Sequence, residues 1–212
     1  MKQIYLVLLL YLTCYAQKPC PGIPTVDYAG KIYHTVAIGD QCWLKENLDV
    51  GIMIKGKKAQ SNNRKIEKYC YNDDTANCKK FGGLYQWDEA MQYATKQGSK
   101  GICPNGWHIP TYEEFQILVA AVNNDGNTLK AIGQGTGDGA GINTSGFSAL
   151  LAGYRSHYGY FYPLGSTTYF WSSKKSDAAY AYGMTPSYDG SSIYLGQDYK
   201  VYGFSVRCIK DK

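Results

Sequence analysis

The sequence predicts an α+β domain in which short strands and long loops outnumber the helices. The 212 residues include 24 glycines and 21 tyrosines, and this composition favours strands, turns and loops over helices. One alternating segment predicts a β-hairpin, two segments carry helical signals, and short aromatic segments separated by glycine and serine fill the C-terminal part. Hydrophobic residues make up 44% of the chain and charged residues 18%, which excludes a disordered protein.

The first residues carry the pattern of a secretory signal. A positive start at Met1–Lys2 precedes the apolar run Ile4–Leu12, which is shorter than the ~20 residues that span a bilayer. Small residues at Cys14 and Ala16 fit a cleavage site. We therefore predict a signal peptide over residues 1–16, cleaved near Ala16, and a secreted, outer-surface or periplasmic protein. The alternative is a lipoprotein acylated at Cys14.

One domain is predicted after this signal, over residues 26–212, with a proline-containing lead-in over residues 17–25. Near its start, Val26–Tyr28 and Ile32–Ile38 flank a turn at Ala29–Gly30. Two such runs around a short turn predict a β-hairpin. No apolar run in the chain reaches the length of a transmembrane segment, so no transmembrane segment is expected.

Helices are predicted in the middle of the chain and strands towards its end. Apolar residues at helical spacing predict a helix over residues 88–97. Thr111 and Glu114 have the spacing of a capping box, which predicts the start of a second helix. Residues 123–145 are rich in Gly, Asn, Asp and Thr and predict a long loop. The strands expected after it cover residues 147–153, 160–162, 169–173, 179–184, 193–195 and 203–209.

An even number of cysteines follows the predicted signal peptide, and in an exported chain this indicates three disulfides. They are Cys20, Cys42, Cys70, Cys78, Cys103 and Cys208. The pair Cys70–Cys78 surrounds a turn-like segment, which indicates a local bridge. The pair Cys20–Cys42 flanks the predicted hairpin. These bridges would leave Cys103 and Cys208 for the third, although six cysteines allow fifteen pairings.

The charge of the chain argues against one class of partner. A formal net charge of +5 is far below the dense lysine and arginine field of nucleic-acid-binding domains, so no nucleic-acid partner is predicted. The lysine-rich segment 51–68 predicts a solvated loop, with a stripe for acidic partners as the alternative.

Seven strings in order along residues 26–211 carry a family resemblance. They are Gly30–Leu48, Tyr69–Asn72, Phe81–Trp87, Cys103–Thr111, Ser145–Leu150, Phe170–Ser173 and Gly203–Cys208. Together they resemble the Fibrobacter succinogenes major paralogous domain family of bacterial surface proteins.

That family is similar in outline to the C-type-lectin-like fold and to formylglycine-generating enzymes. The resemblance implies a C-type-lectin-like domain with two helices, twisted antiparallel strands, long loops and disulfides. In lectin-like domains a cysteine near the first helices pairs with one on the last strand, and Cys103–Cys208 would be the counterpart. The resemblance further implies an exported module that acts in adhesion or glycan contact.

Signatures of catalysis are weak. Formylglycine-generating enzymes need reactive cysteines near the C-terminus, where only Cys208 lies. Helix capping explains Glu114, and its neighbour Glu113 cannot face it, so no carboxylate pair for glycoside hydrolysis is predicted. The glycine-rich run 133–141 lies in the predicted loop and lacks the context of a dinucleotide fingerprint. We predict no catalytic residue and no cofactor; a secreted enzyme with an unrecognised site and a structural envelope component are the alternatives.

No metal site is predicted. The three histidines His34, His108 and His157 are isolated in sequence, and no Cys-x-x-Cys pair is present. The calcium-binding loop of C-type lectins has no match, and Phe170–Ser173 stands where their Trp-Asn-Asp strand would lie. The oxygen-rich segments at Asn72 and Asn123 are typical of turns.

The candidate binding residues lie in one short tyrosine-rich stretch. They are Tyr154, Arg155, His157, Tyr158, Tyr160 and Tyr162. A tyrosine offers a flat apolar face and a hydroxyl, which suits glycan or protein contacts. We predict a metal-independent contact surface here, for extracellular glycans or surface proteins. The alternative is that these tyrosines are half-buried strand residues.

Some aromatic and charged residues are assigned to the core instead. The four tryptophans, Trp43, Trp87, Trp107 and Trp171, lie inside the family strings and are predicted to be buried. Arg207 is predicted to be a buried ion-pair partner.

Overall fold

The computed structural model describes residues 17–212; the predicted signal peptide and Cys14 lie outside them. The described strands are β1 (Thr25–Tyr28), β2 (Lys31–Ile38), β3 (Gln41–Leu44), β4 (Ile52–Met53), β5 (Glu67–Lys68), β6 (Trp107–His108), β7 (Tyr154–Arg155), β8 (Phe161–Tyr162), β9 (Phe170–Lys175), β10 (Tyr180–Pro186), β11 (Ile193–Tyr199) and β12 (Ile209–Lys210). The described α-helices are α1 (Thr75–Phe81), α2 (Trp87–Ala90), α3 (Tyr112–Ala121) and α4 (Gly126–Leu129). Strands and loops outnumber helices, as the composition predicts for this α+β chain.

The largest sheet has five antiparallel strands in the order β1-β2-β3-β12-β6. Its first two strands are the predicted hairpin. The last strand of the chain enters the middle of the sheet, because Ile209 pairs with Trp43 on one side and with His108 on the other. The end of the chain therefore closes this sheet, and the antiparallel strands curl into a half-barrel.

A second antiparallel sheet has the order β11-β10-β9, and the pairs β4–β5 and β7–β8 stand apart from both sheets. The β7–β8 hairpin matters for the site described below. Single bridges join Gly153 to Thr168 and Arg155 to Gly203. The hairpin is thereby tied to the chain before β9 and to the chain before β12.

The prediction of two helices is wrong in number. The capping box of α3 is confirmed: Thr111 Oγ1 accepts from the Glu114 amide, and the Glu114 carboxylate accepts from the Thr111 amide. The helices α1 and α4 were not predicted, and each begins at an aspartate side chain, Asp74 or Asp125, that accepts an amide hydrogen bond. They are too short to show an apolar period in the sequence.

The predicted helix over residues 88–97 ends after one turn at Ala90. The Ala90 carbonyl, which a longer helix would use internally, accepts from the amide of Ile102 at 2.9 Å. A Cβ at Gly101 would lie 2.3 Å from that oxygen, so only glycine permits this approach. Gln92 then takes a positive φ of 50°. A tertiary contact thus overrides the helical pattern.

The predicted strand over residues 147–153 is also wrong, although its apolar residues are buried as a strand pattern would require. Ser148 has a positive φ of 56°, which breaks an extended run. The amide of Leu151 donates to the side chain of Gln134 at 2.7 Å. Side-chain acceptors and single backbone bonds replace a regular ladder here.

The core consists of two hydrophobic clusters. Trp43 lies in one cluster, and Trp87, Trp107 and Trp171 lie in the other. All four side chains are at most 4% exposed, so their predicted burial is confirmed.

The burial of Arg207 is confirmed but its predicted ion pair is wrong. Its guanidinium donates to Asn47 Oδ1 at 3.1 and 2.6 Å and to the carbonyl oxygens of Leu44 and Phe147. The charge is therefore held by neutral oxygens.

Three disulfides join Cys20 to Cys42, Cys70 to Cys78 and Cys103 to Cys208, and all three predicted pairings are confirmed. Disulfides persist in oxidising compartments, so they point to an extracellular or periplasmic protein. None of the helices described for residues 17–212 has the length and apolarity needed to cross a membrane.

Candidate functional site

The β7–β8 hairpin carries all six candidate binding residues, and their exposure divides them. Tyr158, Tyr160 and Tyr162 are 68%, 61% and 46% exposed, and His157 is exposed as well. Tyr154 is half-buried, and Arg155 is only 3% exposed. The hairpin therefore presents three tyrosines and a histidine outward, above a layer formed by Tyr154 and Arg155.

Arg155 fixes the hairpin from below. Its Nε and Nη2 donate to the Gly56 carbonyl at 2.8 and 2.6 Å, and its Nη1 donates to the Val201 carbonyl at 3.1 Å. The guanidinium also lies 4.6 Å from the ring centroid of Tyr69. Because its donors are turned inward, Arg155 positions the hairpin against two loops and does not reach the outer face.

Tyr154 forms the second layer beneath Tyr162. Their rings stack with centroids 4.5 Å apart and an interplanar angle of 8°. The far side of Tyr154 meets Tyr169 and Phe204 edge-on at 5.3 and 5.9 Å. Tyr162 thus lies flat on a packed aromatic base, which fixes the orientation of its ring before a ligand binds.

The turn after β11 extends the exposed face of the hairpin. His157 contacts Tyr158 with ring centroids 3.7 Å apart and stacks on Tyr202 at 5.7 Å. Tyr202 in turn meets Tyr199 at 5.6 Å. A cleft of about 370 Å³ opens here, lined by His157, Tyr199 and Val201.

We call the aromatic side chains of this hairpin and of the neighbouring segment the aromatic surface. Its members are His157, Tyr158, Tyr160, Tyr162, Tyr199 and Tyr202. Lys57 borders it, since its Nζ lies 3.6 Å from the ring centroid of Tyr160 and donates to the Tyr158 carbonyl at 3.2 Å. The lysine-rich loop 51–68 is therefore partly packed against the hairpin, and it supplies a cation at the edge of the surface.

Asp198 is a carboxylate at the edge of this aromatic surface, beside Tyr202 and the underlying Tyr154 and Tyr169. It lies on β11 opposite Ala181, half-buried, and among residues 17–212 its side chain has no hydrogen-bond or ion-pair partner. Burial raises the pKa of Asp198 to about 6. Burial is the main cause of the raised pKa values of Tyr154, Tyr169 and Tyr202, and the charge of Asp198 adds to them. An unpaired, desolvated carboxylate costs stability, which is typical of a group kept for function.

No sequence pattern predicts that four further residues lie at the site: Asp198, Tyr199, Tyr202 and Lys57. These residues are about 40 or about 100 positions away from the hairpin along the chain. A lone aspartate in an alternating strand carries no motif, and only the pairing of β10 with β11 and the turn after β11 bring it to the tyrosines.

A second titratable group lies at the other end of the fold. His108 contacts Asp211 through Nδ1 at 2.6 Å and Glu114 through Nε2 at 2.9 Å. Burial lowers the pKa of His108, but the two carboxylates outweigh burial and raise it. Glu114 also accepts from the amide and hydroxyl of Thr111. This group ties β6 and Asp211 to the start of α3, and both carboxylate oxygens of Glu114 accept hydrogen bonds.

Within residues 17–212, no group of three or more His, Cys, Asp or Glu side chains lies close enough together to hold a metal ion. The oxygen-rich segments have other roles, because Asp74 and Asp125 cap helices. The buried amine of Lys130 donates to the carbonyls of Ser187 and Gly190. A lysine thus occupies the carbonyl cluster of the loop between β10 and β11.

Comparison with known proteins gives one family. The family model described as the Fibrobacter succinogenes major domain matches residues 36–210. No curated protein and no solved structure matched the chain.

Proposed function

We propose that this chain, which belongs to the Fibrobacter succinogenes major domain family, is an exported binding protein that holds glycans on its aromatic surface. In this proposal the signal peptide over residues 1–16 is removed near Ala16, or Cys14 is acylated and anchors the protein. The three disulfides support export, because they require an oxidising compartment.

The observation that carries the proposal is the unpaired Asp198 carboxylate beside the half-buried Tyr154, Tyr169 and Tyr202, at the edge of the aromatic surface. The C–H faces of a sugar ring pack on flat aromatic faces such as that of Tyr162, while sugar hydroxyls donate to a carboxylate and accept from an ammonium group. Asp198 supplies the acceptor and Lys57 supplies the donor. The cleft beside His157 has the size of a small ligand pocket.

We further propose that the domain is C-type-lectin-like and binds its ligand without metal. The bridge Cys103–Cys208 supports the first part, because it joins the region before α3 to the end of the chain as the resemblance implies. The second part is supported by the chemistry of the aromatic surface, whose polar groups hydrogen-bond sugars directly. Adhesion to extracellular glycans is the role that such a surface would serve.

A glycan array probed with the oxidised protein tests the proposal, once with calcium and once with chelator. We expect saturable binding in both conditions, and Tyr160→Ala or Tyr162→Ala should weaken it at least 10-fold. Tyr188→Ala is the matched control, because Tyr188 is 41% exposed but lies outside the aromatic surface. This control variant should bind like the parent protein.

Three outcomes would contradict parts of the proposal. Binding that is lost with chelator would show a calcium site and overturn metal independence. Equal loss in the control variant would show that the tyrosines act without a defined site. Absence of binding to any glycan would overturn the glycan proposal and direct the search to surface proteins.

A further inference from the structure

A second cleft, of about 350 Å³, lies where the start of β2, the chain after β3 and the end of α1 meet. Its charged and amide-bearing walls are Lys31, Lys45, Glu46, Asn47, Lys79 and Lys80. We call it the lysine cleft. It shares no residue with the aromatic surface, so its function is independent of the proposal above.

The positive charges of the lysine cleft are poorly neutralised by the protein. Lys31 reaches Asp49 only at 4.0 Å, and Asp49 is engaged by Lys68 at 2.5 Å. Lys45 contacts the neutral amide oxygen of Gln17 at 3.2 Å. Lys79 and Lys80 have no carboxylate partner among residues 17–212.

The single carboxylate of the cleft is already occupied. Glu46 Oε1 is 2.8 Å from Nδ1 of His34, and its Oε2 accepts from the His34 amide at 2.8 Å. Both oxygens are therefore turned towards His34. The cleft therefore contains four lysines and one carboxylate, and that carboxylate is hydrogen-bonded to His34.

A buried cation lies directly behind the cleft. Asn47 lines the cleft, and its Oδ1 accepts two hydrogen bonds from Arg207. Ser148 also lines the cleft, and the carbonyl of its neighbour Phe147 accepts from the same guanidinium. Burial lowers the pKa of Arg207 to about 9, so the group stays charged at neutral pH. Its field adds to that of the lysines. Among residues 17–212 no carboxylate contacts it, and the charge of Glu46 acts on it only through space.

Helix capping alone does not account for this charge. Lys79 and Lys80 lie in the last turn of α1 and complement its dipole, which amounts to roughly half a charge. The Phe81 carbonyl at this helix end is already satisfied by Asn47 Nδ2 at 2.8 Å. Lys31 and Lys45 belong to other segments, and Arg207 is bonded to the opposite side of Asn47.

We infer that the lysine cleft binds an anionic glycan through the carboxylate, sulfate or phosphate groups on its sugars. Lysine ammonium groups pair with each of these anions, and the field of Arg207 favours a negative charge over a neutral sugar. The half-open shape of the cleft suits a substituent on a polymer chain. The ligand thus compensates charge that the fold leaves unpaired.

Binding of the full oxidised protein to three immobilised polymers tests this inference: polygalacturonate for carboxylate, dextran sulfate for sulfate, and neutral dextran as the reference. We expect binding to at least one polyanion at 20 mM salt, weaker at 500 mM because salt screens ion pairs, and none to dextran. The double variant Lys79→Glu, Lys80→Glu should weaken polyanion binding at least 10-fold. A phosphorylated dextran tests the phosphate arm.

The matched control is Lys58→Glu, Lys65→Glu, which makes the same change in net charge in the exposed lysine-rich loop. This control should bind within about 2-fold of the parent protein, and Tyr160→Ala should leave polyanion binding unchanged. Equal loss in both double variants would show bulk attraction and overturn the inference, as would failure of every polyanion to exceed dextran. If charge reversal unfolds the protein, the neutral double variant Lys79→Gln, Lys80→Gln takes its place. Melting curves verify that this variant is folded, and it should also weaken polyanion binding.

Discussion

Individual buried charged side chains lower the stability of this protein. Asp198 is the sharpest case, since a carboxylate removed from water without a partner favours its neutral form. Its folded pKa of about 6 lies above the value of about 3.9 in unfolded chains. The folded state therefore holds the proton more tightly, and the penalty for charging Asp198 grows as the pH rises from about 4 to above 6.

We predict that Asp198→Asn stabilises the protein above pH 6. The neutral amide removes the penalty of the charged carboxylate, and the gain should be about 1–2 kcal/mol after allowance for partial exposure. The same change should weaken glycan binding above pH 6, because the amide is a weaker acceptor. Urea denaturation of both proteins at pH 4 and pH 7.5 measures the difference, which should be close to zero at pH 4. Equal or lower stability of the variant at pH 7.5 would contradict this account.

Arg207 is a second buried charge whose loss of water costs stability. A cation enclosed by the neutral oxygens of Asn47, Leu44 and Phe147 loses water without gaining an ion pair. The prediction of an ion pair followed the general rule that buried charges are paired. The exception is informative, because it places an unbalanced positive charge behind the lysine cleft.

Elements in this fold are held mainly by contacts from distant segments. The β7–β8 hairpin has only two residues in each strand, which is far too little for independent stability. Arg155 compensates by bonding the hairpin to Gly56 and Val201. The position of the exposed tyrosines therefore depends on one buried guanidinium.

We predict that Arg155→Ala lowers the free energy of unfolding by about 2–4 kcal/mol, because it leaves the buried Gly56 carbonyl oxygen without a donor. Glycan binding should also fall, although the side chain does not reach the aromatic surface. Lys65→Ala, at an exposed position, is the control and should change stability by less than about 0.5 kcal/mol. Urea denaturation and array binding of the folded fraction provide the two measurements. Unchanged stability would show that the hairpin does not need this side chain.

The sequence predicts elements that are governed by local chemistry and misses those governed by tertiary contact. The capping box at Thr111 and Glu114 is local, and it is confirmed. The end of α2 depends on Ile102 reaching the Ala90 carbonyl, and no pattern near Ala90 announces that contact. In the site, the tyrosine-rich stretch is visible in sequence, but Asp198 is not, because β-sheet pairing alone brings it there.

At the scale of the whole molecule, disulfides and sheet topology act together. The pair Cys103–Cys208 spans 105 residues, whereas Cys70–Cys78 spans 8. Both Cys103 and Cys208 are fully buried in the cluster that contains three of the four tryptophans. The long bridge therefore holds the segment before β6 and the segment before β12 together, next to the point where β12 enters the central sheet.

We predict that the two bridges differ strongly in their effect on stability. In the chain-entropy model, removing a bridge over about 100 residues costs about 4–5 kcal/mol, and removing one over about 8 residues costs about 2–3 kcal/mol. The double variant Cys103→Ser, Cys208→Ser should also bury two unpaired hydroxyls, which adds to its loss. The matched variant is Cys70→Ser, Cys78→Ser, and urea denaturation under oxidising conditions compares the two. If the short bridge proved the more costly, the closure of the central sheet would depend on packing of β12 and not on the covalent link. In that case the Cys103–Cys208 bridge would have to be explained by resistance to proteolysis, which a protease time course on the same two variants would measure.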